Sequence, residues 1–199
     1  MTQNNALTKR IIAVTGGIGS GKSAVCRYLA AHGEVVSCDE INKEMLLDKD
    51  YLAKLKDIFP EAFSSGAFDR RILARVIFSD SAKRAQLNAL AHPEIMKRLQ
   101  GKILFAQTDV VFAEVPLLVG TGFEKLFREI IVVKADLDVR IKRIVTRDNV
   151  SKEEAIKKIG AQNSDPVFSG ARVYTIDNSG TQDELKAACD RLIKQIFTE

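Results

Sequence analysis

The chain has 199 residues, of which 46% are hydrophobic and 28% are charged, and its formal net charge is +4. This length favours one domain, and the composition supports a sizeable buried core and excludes wholesale disorder. Basic residues are scattered, aromatic residues make up 7% and tryptophan is absent. A nucleic-acid binder more often clusters its basic residues, so we expect anionic small molecules as ligands and no nucleic acid.

Cysteine usage and the amino-terminal residues indicate the compartment. Cys26, Cys38 and Cys189 are odd in number and widely spaced, so neither disulfides nor a metal framework is expected. The first ten residues are polar, unlike a secretory signal, and no apolar run approaches the roughly 18 residues that span a membrane. We therefore expect a cytoplasmic protein without a membrane partner, and a monomer or a weak homo-oligomer.

Five short runs rich in apolar and β-branched residues predict strands, at 11–15, 34–38, 110–115, 130–133 and 173–176. Most are continuous apolar runs, as expected for parallel strands covered on both faces. Helical patterns lie between them, at 23–31, 136–148, 151–162 and from residue 181 onward; Ser151 with Glu154, and Thr181 with Glu184, form capping boxes. Alternating strands and helices predict an α/β fold around a parallel sheet.

One stretch, about residues 40–107, does not fit simple alternation. Its apolar residues recur at helical spacing, and the turn Ser64-Ser65-Gly66 divides it. We predict a mainly helical insert between the second and third strands, inside a single domain that covers residues 1–199.

The strongest chemical signal is the G-x-x-x-x-G-K-S motif of residues 16–23, placed between a predicted strand and a predicted helix. Glycines let the backbone curl so that its N–H groups face phosphate oxygens, and the following helix adds its positive end. Lys22 supplies a cation for the β- and γ-phosphates, and the Ser23 hydroxyl is a ligand for Mg²⁺. We expect ATP phosphates to bind Gly17, Gly19, Ser20, Gly21, Lys22, Ser23 and Ala24.

Asp39 ends the second predicted strand. Ligands of doubly wound sheets gather at the carboxyl ends of strands, where a carboxylate can accept the proton of an attacking hydroxyl. The alternative is that Asp39 only caps the helix that follows. The phosphate-binding motif upstream favours catalysis.

Two further patterns have both a catalytic and a structural interpretation. Glu114 closes an apolar strand as the acid of a Walker-B motif does, to orient Mg²⁺, or it is an ordinary strand-end acid. Arg140, Arg143 and Arg147 fall on one face of the predicted helix 136–148. They form either a solvated surface or a lid, at about 136–165, that closes over ATP and neutralises transition-state charge.

The order and content of these motifs resemble the dephospho-CoA kinase family from residue 11 to about residue 180. The phosphate-binding motif is shared with many families, and more specific elements carry the resemblance. These are Phe68-Asp69-Arg70-Arg71, the L-N-x-x-x-H-P element at 87–93, the acid-x-P-L-L strand at 114–118, the stretch 142–148, Ala161-Gln162 and the I-D-N-x-G turn at 176–180.

The resemblance implies a P-loop nucleotide kinase fold with a five-stranded parallel sheet, a helical CoA-binding insert and a helical lid. It implies transfer of the ATP γ-phosphoryl group to the 3′-hydroxyl of dephospho-CoA, with Mg²⁺ as cofactor. By position, Asp39 matches the general base, and Arg143 and Arg147 match the lid arginines.

The resemblance also suggests residues for the two substrates. Arg70 and His92 fall in the insert that holds the acceptor, although His92 is equally well explained as leading into a helix that starts at Pro93. Asp177 and Asn178 match residues near the adenine, although an Asp-Asn-x-Gly sequence also favours a turn.

The chain departs from the family pattern at three places. Ser37 replaces the first acid of the usual D-x-D pair, Gly120 replaces an acid after P-L-L, and residues 165–172 differ before the last strand. The main alternative is another nucleoside or small-metabolite kinase. A small GTPase is disfavoured because Asn42-Lys43 is not followed by the x-Asp of a guanine-binding motif.

Overall fold

The computed structural model of the chain describes residues 9–116, 118, 123–162 and 168–198. Within this part of the chain, five parallel strands form one sheet in the order β2-β3-β1-β4-β5. The strands are β1 (Arg10–Thr15), β2 (Glu34–Ser37), β3 (Val110–Glu114), β4 (Glu129–Lys134) and β5 (Arg172–Asp177). The predicted five-stranded parallel sheet is confirmed, and each strand lies within two residues of its predicted bounds.

Eight α-helices are assigned among the described residues. They are α1 (Lys22–Leu29), α2 (Cys38–Met45), α3 (Lys49–Ile58), α4 (Arg70–Ser79), α5 (Ser81–Phe105), α6 (Leu137–Asp148), α7 (Lys152–Gly160) and α8 (Gln182–Thr198). Cys38, predicted as the last residue of the second strand, instead begins α2 directly after β2. No helix in the described ranges is both long and apolar enough to cross a membrane.

The chain divides into two compact units, the helical unit Cys38–Lys102 and a sheet unit that holds the other described residues. In the sheet unit, apolar side chains of β1, β3, β4 and β5 pack with α1 and α8 in one buried cluster. A smaller cluster joins α6 to α7 through Ile141, Ile144 and Ala155. The Thr181–Glu184 capping box forms as predicted, since Thr181 N donates to Glu184 Oε2 at 2.7 Å and Glu184 N donates to Thr181 Oγ1 at 3.3 Å. Ser151 caps α7 through its Oγ, which accepts from Glu154 N at 3.1 Å.

The helical unit contains α2, α3, α4 and most of α5, as the apolar spacing predicted. Aspartates cap its helices: Asp48 Oδ1 accepts from Asp50 N at 3.0 Å, and Asp69 Oδ1 accepts from Arg71 N at 2.7 Å. Each cap satisfies backbone donors that have no partner inside the helix.

Pro93 does not begin a helix, so the structural alternative for His92 was wrong. Both residues lie inside the 25-residue helix α5. An interior proline removes one backbone hydrogen bond and crowds the preceding turn, at a cost of roughly 3 kcal/mol. Three helical turns on each side of Pro93, together with the buried side chains of Ala91 and Leu99, keep the helix continuous through it.

Candidate active site

The phosphate loop, residues 16–23, runs from the end of β1 into the first turn of α1. Gly19 and Gly21 adopt φ angles of +80° and +90°, a left-handed conformation that favours glycine. A Cβ on Gly19 would lie 2.8 Å from the Arg140 carbonyl oxygen, and a Cβ on Gly21 would collide with the Asn178 side-chain amide. The backbone shape and the neighbouring side chains therefore both require glycine at these positions.

Lys22 is the first residue of α1, and its side chain folds back along the loop. Its Nζ donates to the carbonyl oxygen of Gly16 at 2.8 Å and to that of Gly17 at 3.4 Å. The ammonium group is thus placed at the mouth of the loop, beside the positive end of α1. This is the arrangement expected of a phosphate-binding lysine.

Ser23 and Glu114 meet although 91 residues separate them. Ser23 Oγ donates to Glu114 Oε1 at 3.0 Å, and Glu114 is only 7% exposed at the end of β3. A hydroxyl and a carboxylate are the oxygen ligands that Mg²⁺ prefers, and this ion commonly keeps several waters and phosphate oxygens. Among the described residues no cluster of three or more His, Cys, Asp or Glu could form a complete metal cage. The Ser23–Glu114 pair fits an ion bound mainly through ATP.

Arg143 and Asn178 hold the outer side of the phosphate loop. Arg143 donates to the carbonyl oxygens of Gly19 at 3.3 Å, Ser20 at 3.2 Å and Asn178 at 2.9 Å. Asn178, which is 5% exposed, donates from Nδ2 to the Ser20 carbonyl at 2.8 Å. Both residues were predicted to contact ATP. Both donate to carbonyls of the phosphate loop, and Arg143 also donates to the carbonyl of Asn178, so this geometry supports the shape of the loop.

Sequence reasoning missed two contacts of the same kind. Arg140 Nε donates to the Ile18 carbonyl at 2.9 Å, and Ile18 N donates to Gln162 Oε1 at 2.7 Å. The helical spacing placed Arg140 on the face of Arg143, which was the available signal. The pairing of Gln162 with the loop had no signal beyond its place in the family-like Ala161-Gln162 element, because 144 residues separate it from Ile18.

Arg147 differs from the other two arginines of α6. Its side chain is 60% exposed and donates from Nε to Asp148 Oδ1 at 2.7 Å. Lys158 of α7 donates to the same carboxylate at 2.6 Å. The Arg147 guanidinium, followed by the Lys158 ammonium, lowers the pKa of Asp148 to about 2.

A cavity of about 350 Å³ opens beside the phosphate loop within the sheet unit. Its walls combine apolar surface with polar groups that suit a nucleoside, and include Gly21, Ala24, Tyr28, Arg143, Asn178 and Leu185. Asp177 is turned to its own loop: its Oδ1 accepts from Ser179 N at 2.9 Å and from Ser179 Oγ at 2.5 Å. The predicted turn is present, and Tyr28 and Leu185 are pocket residues that the sequence did not single out.

Three predicted site residues belong to the helical unit. Asp39 is the exposed second residue of α2, two positions after Ser37, whose β2 backbone pairs with Glu114 of β3. Arg70 is the exposed first residue of α4. His92 is half-buried in α5, and burial lowers its pKa. Their roles toward substrate remain predictions. Three places that the sequence singled out, Leu117, Gly120 and residues 165–167, lie outside the described residues.

The family model for dephospho-CoA kinase matches residues 10–184. This span includes the phosphate loop, Glu114, the α6 arginines and the Asp177-Asn178 turn. The chain belongs to the dephospho-CoA kinase family. It is therefore an ATP-dependent phosphotransferase, and the resemblance drawn from its sequence is confirmed.

Individual members of the dephospho-CoA kinase family match along nearly the whole chain. The chain is 33% identical to the dephospho-CoA kinase of Thermus thermophilus over 187 residues, which cover 94% of this chain and 91% of that protein. It is 33% identical to the Bacillus licheniformis dephospho-CoA kinase over 190 residues, covering 92% of this chain and 94% of the relative.

Solved structures agree with the family assignment. A Thermus thermophilus protein, TT1252, superposes with a TM-score of 0.81 at 32% identity, over 94% of this chain and 98% of the other. Dephospho-CoA kinase from Campylobacter jejuni gives a TM-score of 0.67 at 26% identity, over 96% and 98% of the two chains. Shikimate kinase from Acinetobacter baumannii, at 16% identity and a TM-score of 0.57, shares the fold, which confirms the predicted kinase architecture.

Proposed function

We propose that this chain transfers the γ-phosphoryl group of Mg·ATP to the ribose 3′-hydroxyl of dephospho-CoA, giving CoA and ADP, in the cytoplasm. The observation that carries this proposal is the phosphate loop with its Lys22 and Ser23–Glu114 contacts, inside a chain of the dephospho-CoA kinase family. The loop is suited to an anionic triphosphate, and membership of the family indicates dephospho-CoA as the acceptor.

The sheet unit contributes the ATP side of the reaction. Loop N–H groups and Lys22 bind the β- and γ-phosphates, and the cavity of Tyr28 and Leu185 takes the adenosine. Ser23 and Glu114 would hold Mg²⁺ together with phosphate oxygens, and the bound ion would supply positive charge against the charge that develops on the transferred group. Arg147, whose side chain is exposed on α6, adds a guanidinium for the same charge.

Asp39 acts on the acceptor. As the 3′-oxygen forms its bond to the γ-phosphorus, the bond from that phosphorus to the β–γ bridging oxygen breaks and ADP leaves. Asp39 orients the hydroxyl and accepts its proton. Its support is its position, two residues after the end of β2, which pairs with the strand of Glu114. Arg70 and His92 are the proposed acceptor-binding residues of the helical unit.

A direct assay tests the proposed acceptor. Purified protein is incubated with Mg·ATP and one acceptor from a panel of dephospho-CoA, AMP and shikimate, and the products are identified by mass spectrometry. We expect a single phosphate to be added to dephospho-CoA at the 3′ position, and no phosphorylation of AMP or shikimate at matched concentrations. Phosphorylation of AMP or shikimate alone would assign the chain to another metabolite kinase.

A further inference from the structure

Ile18, an x position of the G-x-x-x-x-G-K-S motif, makes contacts through its backbone N–H, its carbonyl and its side chain. Its N–H donates to Gln162 Oε1 at 2.7 Å and its carbonyl accepts from Arg140 Nε at 2.9 Å. Its side chain packs against the cluster of Ile141, Ile144 and Ala155 that joins α6 to α7. Ile18 therefore contacts the α6–α7 pair through its side chain and its carbonyl, and it contacts Gln162, two residues after the end of α7, through its N–H.

The direction of these contacts determines where the loop presents its donors. In a trans peptide the C=O of one residue and the N–H of the next point to opposite sides. Arg140 binds the carbonyl of Ile18, and Arg143 binds those of Gly19 and Ser20, so the N–H groups of the residues that follow point away from α6. The Ser20 N–H donates to the Gly17 carbonyl at 3.1 Å inside the loop, whereas the N–H groups of Gly19 and Gly21 have the direction that phosphate binding needs.

The opposite face of the loop shows the complementary pattern. The Gly17 carbonyl accepts from Ser20 N at 3.1 Å and from Lys22 Nζ at 3.4 Å. Because the Gly17 carbonyl faces Lys22, the N–H of the same peptide, which belongs to Ile18, faces outward, and there it meets Gln162. Lys22 and Gln162, which lies two residues after the end of α7, therefore hold opposite edges of the same peptide.

We propose that Ile18 is a positioning residue for phosphoryl transfer, which docks the α6–α7 pair on the phosphate loop and thereby fixes the loop donors toward ATP. The side chain supplies apolar contact, Gln162 fixes the rotation of the peptide before Ile18, and Arg140 fixes that of the peptide after it. This proposal rests on the proposed function for its reaction, although its ATP-binding part applies to any kinase of this fold.

The test compares Ile18→Ala with two reference variants. Ile18→Val keeps most of the apolar contact, and Ile156→Ala is a matched control because Ile156 lies on α7 with 46% of its surface exposed. Three quantities are measured: affinity for a non-hydrolysable ATP analogue by calorimetry, kcat and KM for dephospho-CoA phosphorylation, and ADP released without acceptor. A thermal melt of each variant separates positioning from loss of fold.

We expect Ile18→Ala to weaken nucleotide affinity about 10-fold, because it removes the apolar contact that holds the α6–α7 pair on the loop, and to raise the ratio of ADP released to CoA formed. Ile18→Val and Ile156→Ala should stay within about 2-fold of the parent chain. Wild-type affinity and coupling in a folded Ile18→Ala protein would overturn the proposal and leave Ile18 a packing residue.

Gln162→Leu provides a second route if Ile18→Ala does not fold. It removes the acceptor of the Ile18 N–H at similar side-chain volume, and we expect the same weakening of analogue affinity, about 5- to 10-fold. Unchanged affinity would overturn the proposal. If the unmodified chain binds the analogue but does not phosphorylate dephospho-CoA, the proposed function fails while the affinity comparison still tests Ile18.

Discussion

The phosphate loop and the helical unit are stabilised by contacts of very different reach along the chain. Loop contacts join residues 158 apart (Asn178 to Ser20), 144 apart (Ile18 to Gln162) and 91 apart (Ser23 to Glu114). In the helical unit, caps join residues two or three apart, and Arg98 pairs with Glu94 four positions away.

This difference predicts which property a substitution in each region should change. The loop keeps its shape only when β3, α6, the end of α7 and the β5–α8 turn are all in place, so changes in distant elements reach the phosphate donors. The helical unit obtains much of its order locally, although ion pairs such as Lys102–Glu44, 58 residues apart, also contribute. Substitutions at its caps should change stability more than nucleotide binding.

The largest effect should come from the loop itself. Lys22→Ala removes the cation that faces the β- and γ-phosphates, and we expect kcat to fall about 1,000-fold with an unchanged melting temperature. Lys186→Ala, an exposed lysine of α8, is the control and should behave as the parent chain. A Lys22→Ala variant that keeps more than about a tenth of parental kcat would contradict the assignment of the phosphate loop.

Asp39→Asn tests whether the helical unit supplies chemistry as well as structure. Asparagine is nearly isosteric and does not accept the proton, so kcat should fall about 100-fold or more while ATP affinity and melting temperature hold. Steady-state kinetics and a thermal melt measure both. The structure contradicts the alternative that Asp39 caps the helix, because α2 already begins at Cys38; parental turnover with reduced stability would make Asp39 an acid that stabilises the first turn of α2.

Substitutions of Arg143 and Arg147 distinguish a residue that supports the loop from one that contacts ATP directly. Arg143→Ala removes donors to three carbonyls and should lower kcat/KM about 10- to 100-fold, with ATP KM raised because the loop loses its shape. Arg147→Ala should lower kcat by about 10-fold and leave ATP KM nearly constant. An unchanged kcat for Arg147→Ala would return this residue to a solvated surface role.

Asp69→Ala tests the local character of the helical unit. Losing the cap of α4 should cost about 1 kcal/mol of unfolding free energy in a urea titration, while ATP KM stays within about 2-fold. Asp69→Asn keeps a good cap and should restore stability. A large rise in ATP KM for Asp69→Ala with normal stability would break the contrast between the two regions.

The smallest effect concerns pH and the Asp148 carboxylate between Arg147 and Lys158. Its folded pKa of about 2 lies below its ordinary value of 3.8, so its stabilising contribution is present above pH 4 and is lost as pH falls toward 2. In Asp148→Asn this part of the acid dependence should disappear, at a cost near neutral pH of about 0.5 kcal/mol. Urea titrations at pH 7, 4 and 2.5 measure it; identical pH profiles would contradict the ion pairs.

The sequence alone determined the parallel sheet, the phosphate loop, the capping boxes and the helical segment after β2. Each depends on local signals: continuous apolar runs, glycine spacing, Ser or Thr three residues before Glu, and apolar residues at helical period. The family could also be recognised from the sequence, because the motifs of the family occur in order along the chain. Pro93 shows where a local rule fails, because proline favours the start of a helix and yet α5 continues through it.

Only the tertiary structure decided which side chains meet the phosphate loop. Spacing placed Arg140, Arg143 and Arg147 on one face of a helix, and the fold directs the first two to loop carbonyls and leaves the third 60% exposed beside Asp148. It also placed Gln162 on Ile18 and Asn178 on Ser20. These pairings lie far apart in sequence and arise from strand order and helix packing, which local residue patterns do not encode.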